Sequence, residues 1–335
     1  MVALGLTYAL LSGIANGLFS TLRKLIPRWK GENIWLVFIL IACVAMPLVM
    51  VLSTGKDVAA VIHASPTGAL TAAIVFGFGW GFGAILYGLT VDRLGVSLAN
   101  SMVIGLSSAL GSIVPLLVKG TFQLEMRQLI LMLGVATFLL GVWICGKAGK
   151  LREGGDPLTG SNRALLTGLV FSVGAGVMSA IFNVGYSLAL PIADSGQRLG
   201  LSSFQATNCI WLLMLGAGSI PNIIFCSYLL KKNRSVVLFT DSRIHKTWGL
   251  ALVMGLLWGA SIFLYGAATP LLGDIGPSIG WPISLTVSLI VANFMGLLLG
   301  EWRQAPLEAQ RLMRWGILTL LVAVVLTALS AKAGS

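Results

Sequence analysis

The sequence predicts an all-α integral membrane protein, with ten transmembrane helices arranged as two inverted five-helix repeats around a central cavity. Three observations predict it. Of 335 residues, 57 % are hydrophobic and 10 % charged, with mean hydropathy +0.93, whereas a soluble domain carries about 25 % charged residues. Apolar runs near the ~20 residues needed to cross a bilayer recur along the chain with short polar breaks between them. Finally, Gly77-x-x-Trp80-Gly81-x5-Tyr87-Gly88-x6-Gly95 returns as Gly255-x-x-Trp258-Gly259-x5-Tyr265-Gly266-x6-Gly273.

Taken in order, the spans read at 2–22, 34–53, 68–90, 95–118, 128–146, 164–189, 203–230, 247–269, 277–299 and 314–331. The first is no cleavable signal, because Arg23 and Lys24 follow the apolar run instead of preceding it. Span 2 carries Trp35 ahead of Pro47, a proline placed to open the helix and release carbonyls. In span 3 the seven-residue spacing puts Trp80 and Tyr87 on one side of a helix. Gly77, Gly81, Ala84 and Gly88 make a neighbouring small-residue stripe on which another backbone can close. Spans 4, 7 and 9 hold Pro115, Pro221 and Pro282, further candidate breaks. Cys43, Cys145, Cys209 and Cys226 all lie in apolar runs at no metal-ligand spacing, and read as packing residues.

Charge sets the topology. Of 22 Lys and Arg residues, only Lys56, Lys119, Arg127, Arg198 and Lys332 fall on one side of the ten-span arrangement. The opposite side is therefore cytoplasmic and both termini periplasmic. The longest early polar break, 147–163, contains Gly154, Gly155 and Pro157 and reads as a cytoplasmic linker between a first repeat, 1–146, and a second, 164–335. Five spans per half force opposite orientations, so the repeat must be inverted. Other correspondences keep the same order. Gly13-x-x-Asn16-Gly17-x-Phe19-Ser20 matches Gly176-x-x-Ser179-Ala180-x-Phe182-Asn183, Trp35/Pro47 matches Trp211/Pro221, and spans 5 and 10 end in Lys147-Ala148-Gly149 and Lys332-Ala333-Gly334.

The Trp80-Gly81…Tyr87-Gly88-Leu89-Thr90…Leu94-Gly95 stretch, the basic loop after span 1, and Ile279-Gly280-Trp281 leading to Gly300-Glu301-Trp302 resemble the bacterial L-rhamnose/proton symporter family of the drug/metabolite transporter superfamily. The resemblance runs through nearly the whole chain in span order. It implies ten helices around a central cavity and uptake of a deoxy-sugar coupled to proton entry through a bacterial inner membrane. The superfamily's usual termini are cytoplasmic, opposite to the charge count. Fold analogy alone leaves function to the site.

A neutral sugar needs amide or hydroxyl partners and an aromatic platform. Asn16, Ser20, Asn100, Ser107, Asn183, Asn208, Ser284 and Asn293 lie at membrane depth, where polar groups face a cavity or bridge neighbouring helices. Trp80, Trp258 and Trp281 are candidate stacking platforms, and Tyr87 and Tyr265 candidate contacts or gates. Trp35 and Trp302, at span ends, read as interfacial-belt residues. Coupling needs a titratable group. None of the 11 acids is central to a span. Asp274, in a turn without a cation, reads as the better proton carrier; Glu301 beside Arg303 reads as a structural or interfacial pair.

Gly141-x4-Gly146-Lys147-Ala148 imitates a phosphate loop without its Ser/Thr or preceding strand, and reads as a helix ending in a snorkelling lysine. No metal cluster, cofactor motif or nucleophile elbow appears. The chain reads as a transporter and not an enzyme, with a sugar, a proton and the bilayer as partners, and with no nucleic acid or obligate protein partner. Export of a small amphipathic metabolite is the alternative within transport. A membrane sensor is disfavoured, because a scaffold needs no polar centre.

Overall fold

The structure is a computed structural model that describes residues 1–54, 57–153, 162–240 and 245–333, apart from a few individual side chains. Among the described residues there is no strand, and ten helices are long and apolar enough to cross a bilayer. They are α1 (Val2–Leu25), α2 (Gly31–Leu52), α3 (Thr67–Val91), α4 (Ala99–Val118), α5 (Met126–Glu153), α6 (Asn162–Arg198), α7 (Ser203–Lys232), α8 (His245–Ala268), α9 (Gly276–Leu298) and α10 (Leu307–Lys332). Exposed Leu11, Ile14, Phe82, Val170, Ile224, Phe294 and Val325 belong to the apolar outer surface. That surface is what a chain solvated by lipid requires.

Four departures from the sequence reading have local causes. Pro47 does not break α2. The turn ahead of it, Leu40–Ala45, widens to a π-helix, in which Met46 N–H donates to the Ile41 carbonyl five residues back. A short helix, Val58–His63, occupies part of the second connection, its first turn capped by the Asp57 carboxylate, which accepts from Ala60 N–H. The sixth helix continues through Pro191 to Arg198, and Ser195 Oγ donates to the Pro191 and Ala64 carbonyls. The fifth helix runs to Glu153, into the stretch read as linker; 154–161, with Gly154, Gly155 and Pro157, lie outside the described residues, as does Gly334.

Helical hydrogen bonding is continuous from Thr67 to Val118, yet α3 and α4 are two antiparallel limbs. Thirteen residues of straight helix span about 20 Å, but Tyr87 Oη lies 2.5 Å from Asn100 Oδ1. The order of contacts along α6 says the same. Gly168 faces Leu94, just past the end of α3, and Gly174 and Gly185 face Leu86 and Phe76 of α3, descending, whereas Gly176 and Asn183 meet Leu106 and Gly111 of α4, ascending. Helix α6 thus lies along both limbs.

Close helix pairs are built on small residues. Gly77 and Gly81 of α3 seat against the backbone of Met214 and Gly218 in α7, and Gly255 and Gly259 of α8 against Ile41 and Met46 in α2. Gly13 and Gly17 of α1 receive Val287 and Val291 of α9, while α5 and α10 pack together through Gly134, Gly141 and Gly316. A 3₁₀ turn, Ser235–Phe239, docks the α7–α8 connection on the start of α2. There Asn233 Nδ2 and Ser235 Oγ donate to Glu32 Oε1 at 2.9 and 2.7 Å, and Trp29 packs edge-on against Phe239 and Trp248. The four cysteine thiols are buried and unpaired.

Candidate substrate cavity

The helices enclose a cavity of about 580 Å³, within the about 300–1,000 Å³ usual for small-molecule sites. Its lining comes from the second half of α3 (Trp80, Tyr87), the first of α4 (Asn100, Ser101), the end of α5 (Cys145, Arg152), and Glu301 with Trp302 after α9. All lie between mid-membrane and the cation-rich end. The cavity therefore extends toward that end.

Aromatic rings make its walls. Trp80 and Trp258 lie stacked, centroids 5.4 Å apart at 18°, and Phe38 meets Trp258 edge-on at 5.4 Å. Phe182 contacts Trp80 at 5.1 Å and Trp281 at 6.3 Å. Polar groups punctuate the wall. Asn16, Asn100 and Asn293 all line it, and the Asn293 amide nitrogen has no hydrogen-bond partner among the described residues. Ser12 and Ser284 join α1 to α9 through their hydroxyls at 2.8 Å, and Ser107 donates to Ser179 at 2.8 Å between α4 and α6. One carboxylate lines the cavity among the described residues, Glu301. Its Oε2 is 3.1 Å from Arg152 Nη1, and that guanidinium lies 4.8 Å over the Trp302 ring.

Comparison with known proteins places this architecture. Residues 1–333 match the family described as L-rhamnose-proton symport protein (RhaT). The chain belongs to this family. It is 25 % identical over 330 residues to the L-rhamnose-proton symporter of Cronobacter sakazakii, 24 % over 333 residues to that of Klebsiella pneumoniae strain 342, and 23 % over 330 residues to that of Citrobacter koseri. Each comparison covers 96 % of both chains.

In this RhaT-family chain the residues singled out from sequence divide into two groups. Asn16, Trp80, Tyr87, Asn100, Trp258, Tyr265 and Trp281 line the cavity. Asn183 and Asn208 do not; they are 0 % and 1 % exposed at the cation-poor end. The expectation that Asn183 faces an open centre fails because its hydrogen bonds are used elsewhere. Its amide donates to the Gly111 carbonyl at 2.8 Å and the Pro277 carbonyl at 3.0 Å, and its Oδ1 accepts from Tyr265 Oη. The Gly111 carbonyl is open to it because Pro115, four residues on, has no N–H to donate. Ser20 lies outside the described side chains.

Beside this knot Tyr186 Oη and Thr269 Oγ1 are 2.6 Å apart, and the Tyr186 ring stacks on Trp211 at 4.4 Å and 3°. Trp211 Nε1 lies against Gly266, where a β-carbon would meet it. Among the described residues neither Trp211 Nε1 nor Asn208 Oδ1 has a hydrogen-bond partner. A buried polar group so left carries a desolvation cost of about 1–3 kcal/mol. Together these groups close the cation-poor end.

Three sequence expectations are corrected. Trp35 and Trp302 are not belt residues: both line the cavity, Trp35 donating to Asn222 Oδ1 at 2.9 Å and Trp302 being 5 % exposed. Exposed Trp143, with Lys147 Nζ 5.8 Å from its ring, fits the belt instead. Asp274 is exposed, and its turn is not free of cations. Arg127 Nη2 donates to the neighbouring Leu272 carbonyl at 3.0 Å, and Asp274 acts electrostatically on Lys119. Glu301 pairs with Arg152, at the end of the fifth helix, where the sequence had suggested its neighbour Arg303.

Residues missed from sequence include Arg152, Ser12, Phe182 and Asn222. Asn222 is fully buried, accepts from Trp35 and donates to the carbonyls of Gly81 and Gly218 at 3.0 Å each. Its place directly after Pro221 was a usable signal, since a broken helix needs a polar side chain nearby.

Proposed function

We propose that this protein is a secondary transporter that imports L-rhamnose, or a closely related deoxy-sugar, together with protons across a bacterial inner membrane. The observation that carries the reading is the cavity of a RhaT-family chain walled by stacked Trp80 and Trp258, ringed by Asn16, Asn100 and Asn293, and holding the Glu301 carboxylate at its mouth. Indole faces suit the C–H face and methyl group of a deoxy-sugar, and the amides suit its hydroxyls. An exporter of a small amphipathic metabolite would have less use for a wall with three amides and the hydroxyls of Ser12, Ser179 and Ser284.

The packing supports two inverted five-helix repeats, the plan of the drug/metabolite transporter superfamily, joined by the cytoplasmic linker. Helix α3 seats on α7 as α8 seats on α2, α6 meets α4 as α1 meets α9, and α5 pairs with α10. Exchanging the halves exchanges each pair for its counterpart. With the cation-rich end cytoplasmic and both termini periplasmic, the cavity is open to the cytoplasm.

Glu301, not Asp274, is the coupling carboxylate in this reading. Arg152 lies 3.1 Å from it; in the coupled step of this reading that pair separates and a proton takes the place of the guanidinium. Proteoliposomes provide the test. Labelled rhamnose should accumulate under an inward proton gradient and lose accumulation with a protonophore. Glu301→Gln should abolish accumulation while sparing counterflow, and Asp274→Asn should leave both unchanged. Accumulation indifferent to the protonophore would overturn proton coupling.

A further inference from the structure

The closed end holds two groups that the inward cavity leaves unexplained. Asn208 Oδ1 and Trp211 Nε1 are an acceptor and a donor three residues apart, on one face of α7. Both side chains are buried to 1 % exposure or less, and neither atom has a partner among the described residues. Native interiors seldom leave such groups without a reason. They sit against the parts that shut this end: Trp211 stacks on Tyr186 and Phe182 and presses its indole N–H on Gly266.

The two copies of the glycine–aromatic stretch supply the second observation. Gly266 is sealed by Trp211, whereas a β-carbon on its counterpart Gly88 would meet nothing within 4 Å among the described residues. Trp35, the counterpart of Trp211 ahead of the helix proline, stands in the open cavity wall. One tryptophan is seated on its glycine and the other is not.

We propose that Asn208 and Trp211 form an outer sugar subsite, exposed when Trp211 lifts off Gly266, and that Trp35 then closes over Gly88 at the opposite end. The proposal rests on the sugar-transport reading above and extends it to a site on the periplasmic half of the pathway. The subsite takes one hydroxyl pair of a pyranose: a sugar O–H donates to Asn208 Oδ1 and a ring or hydroxyl oxygen accepts from Trp211 Nε1. Neither residue lines the inward cavity, and the Tyr265 ring lies 6.1 Å from that of Trp211; in this proposal the sugar reaches the pair only from the cation-poor side.

Two variants test it. Nothing among the described residues bonds to Asn208 Oδ1, so Asn208→Leu removes the proposed contact without orphaning a partner. Apparent rhamnose affinity should fall about fivefold to tenfold for uptake from the cation-poor side, the value of one hydrogen bond, and stay unchanged for efflux from the cation-rich side. An equal loss on both sides, as a structural role would give, overturns the subsite.

The second test is accessibility. With Cys43, Cys145, Cys209 and Cys226 replaced by alanine, Asn208→Cys should react with an impermeant thiol reagent from the cation-poor side, and rhamnose should slow the reaction. Adding Gly88→Leu, whose β-carbon meets nothing within 4 Å among the described residues but whose side chain would obstruct closure over Gly88, should abolish labelling and transport while rhamnose binding persists. An unreactive Asn208→Cys in a transporting protein, labelling indifferent to rhamnose (an internal water site only), or normal transport by Gly88→Leu would each overturn the proposal. A wild-type protein that carries no rhamnose overturns the transport reading instead, and labelling with and without Gly88→Leu still reads the gate.

Discussion

The α3 and α8 copies of the glycine–aromatic stretch share their spacing and differ in their surroundings. Trp80 and Trp258 have the same job, meeting face to face in the cavity wall. Seven residues later, two helical turns on, the copies part. Both tyrosines line the cavity, but Tyr87 is half-buried and donates to Asn100 at 2.5 Å, whereas Tyr265 is 1 % exposed and tied to Asn183 and the Pro277 carbonyl. Gly88 has open space around it, and Gly266 has the Trp211 indole. The difference teaches that repeated residues define a kind of joint whose partners the rest of the fold supplies, Asn100 at one copy and Asn183 with Trp211 at the other.

The sharpest way to break that contrast is a methyl group at each glycine. Gly266→Ala drives a β-carbon into an indole that in this conformation is stacked on Tyr186 and Phe182. Overpacking of this kind costs about 1–3 kcal/mol or more, so a clear loss of thermal stability in detergent is expected. Gly88→Ala should be neutral or stabilising by up to about 1 kcal/mol, because alanine is the better helix former and nothing obstructs it. Equal losses in the two variants would mean that the copies do not differ in packing.

Much of this was legible in the sequence, and the part that was not has a physical cause. Ten spans followed from hydropathy and length, which a bilayer enforces residue by residue. Trp80 and Trp258 could be placed together because the stretch that carries them is repeated, which suggests a pseudo-symmetric pair of helices facing a common cavity. Asn183 could not be assigned, because its role depends on a carbonyl that Pro115 releases in a helix some seventy residues away. Trp35 and Trp302 were misread because span ends and cavity mouths coincide at the same depth. The pairing of Glu301 with Arg152 was hidden by the nearer Arg303, since sequence proximity says nothing about which charge the fold brings alongside.

A smaller effect separates the two tyrosines. Tyr265→Phe leaves Asn183 Oδ1 buried without its donor, a loss of about 1–3 kcal/mol. Tyr87→Phe leaves Asn100 beside a cavity where water can replace the hydroxyl, so its stability should fall by no more than about 1 kcal/mol. Chemical denaturation or thermal unfolding of the pair reads the difference directly. A reversed order would place the solvated joint at the α8 end.

The smallest expected contrast is between the tryptophans, and it sharpens the comparison because here the copies should agree. Each indole offers one face of a stacked pair, so neither has privileged access to a sugar lying along the wall. Trp80→Phe and Trp258→Phe both keep an apolar ring, lose the larger surface and the N–H, and should weaken rhamnose binding by similar factors. Aromatic contacts are valued at about 0.5–1.5 kcal/mol, which corresponds to roughly two- to twelvefold in affinity. Trp258 also packs edge-on against Phe38 and Trp80 against Phe182, so each has one further aromatic neighbour and the stability effects should match as well. Isothermal titration of both variants in the same detergent decides it. A loss confined to Trp80 would put the sugar on the α3 side of the cavity alone, and the two copies would then be equivalent in packing but not in recognition.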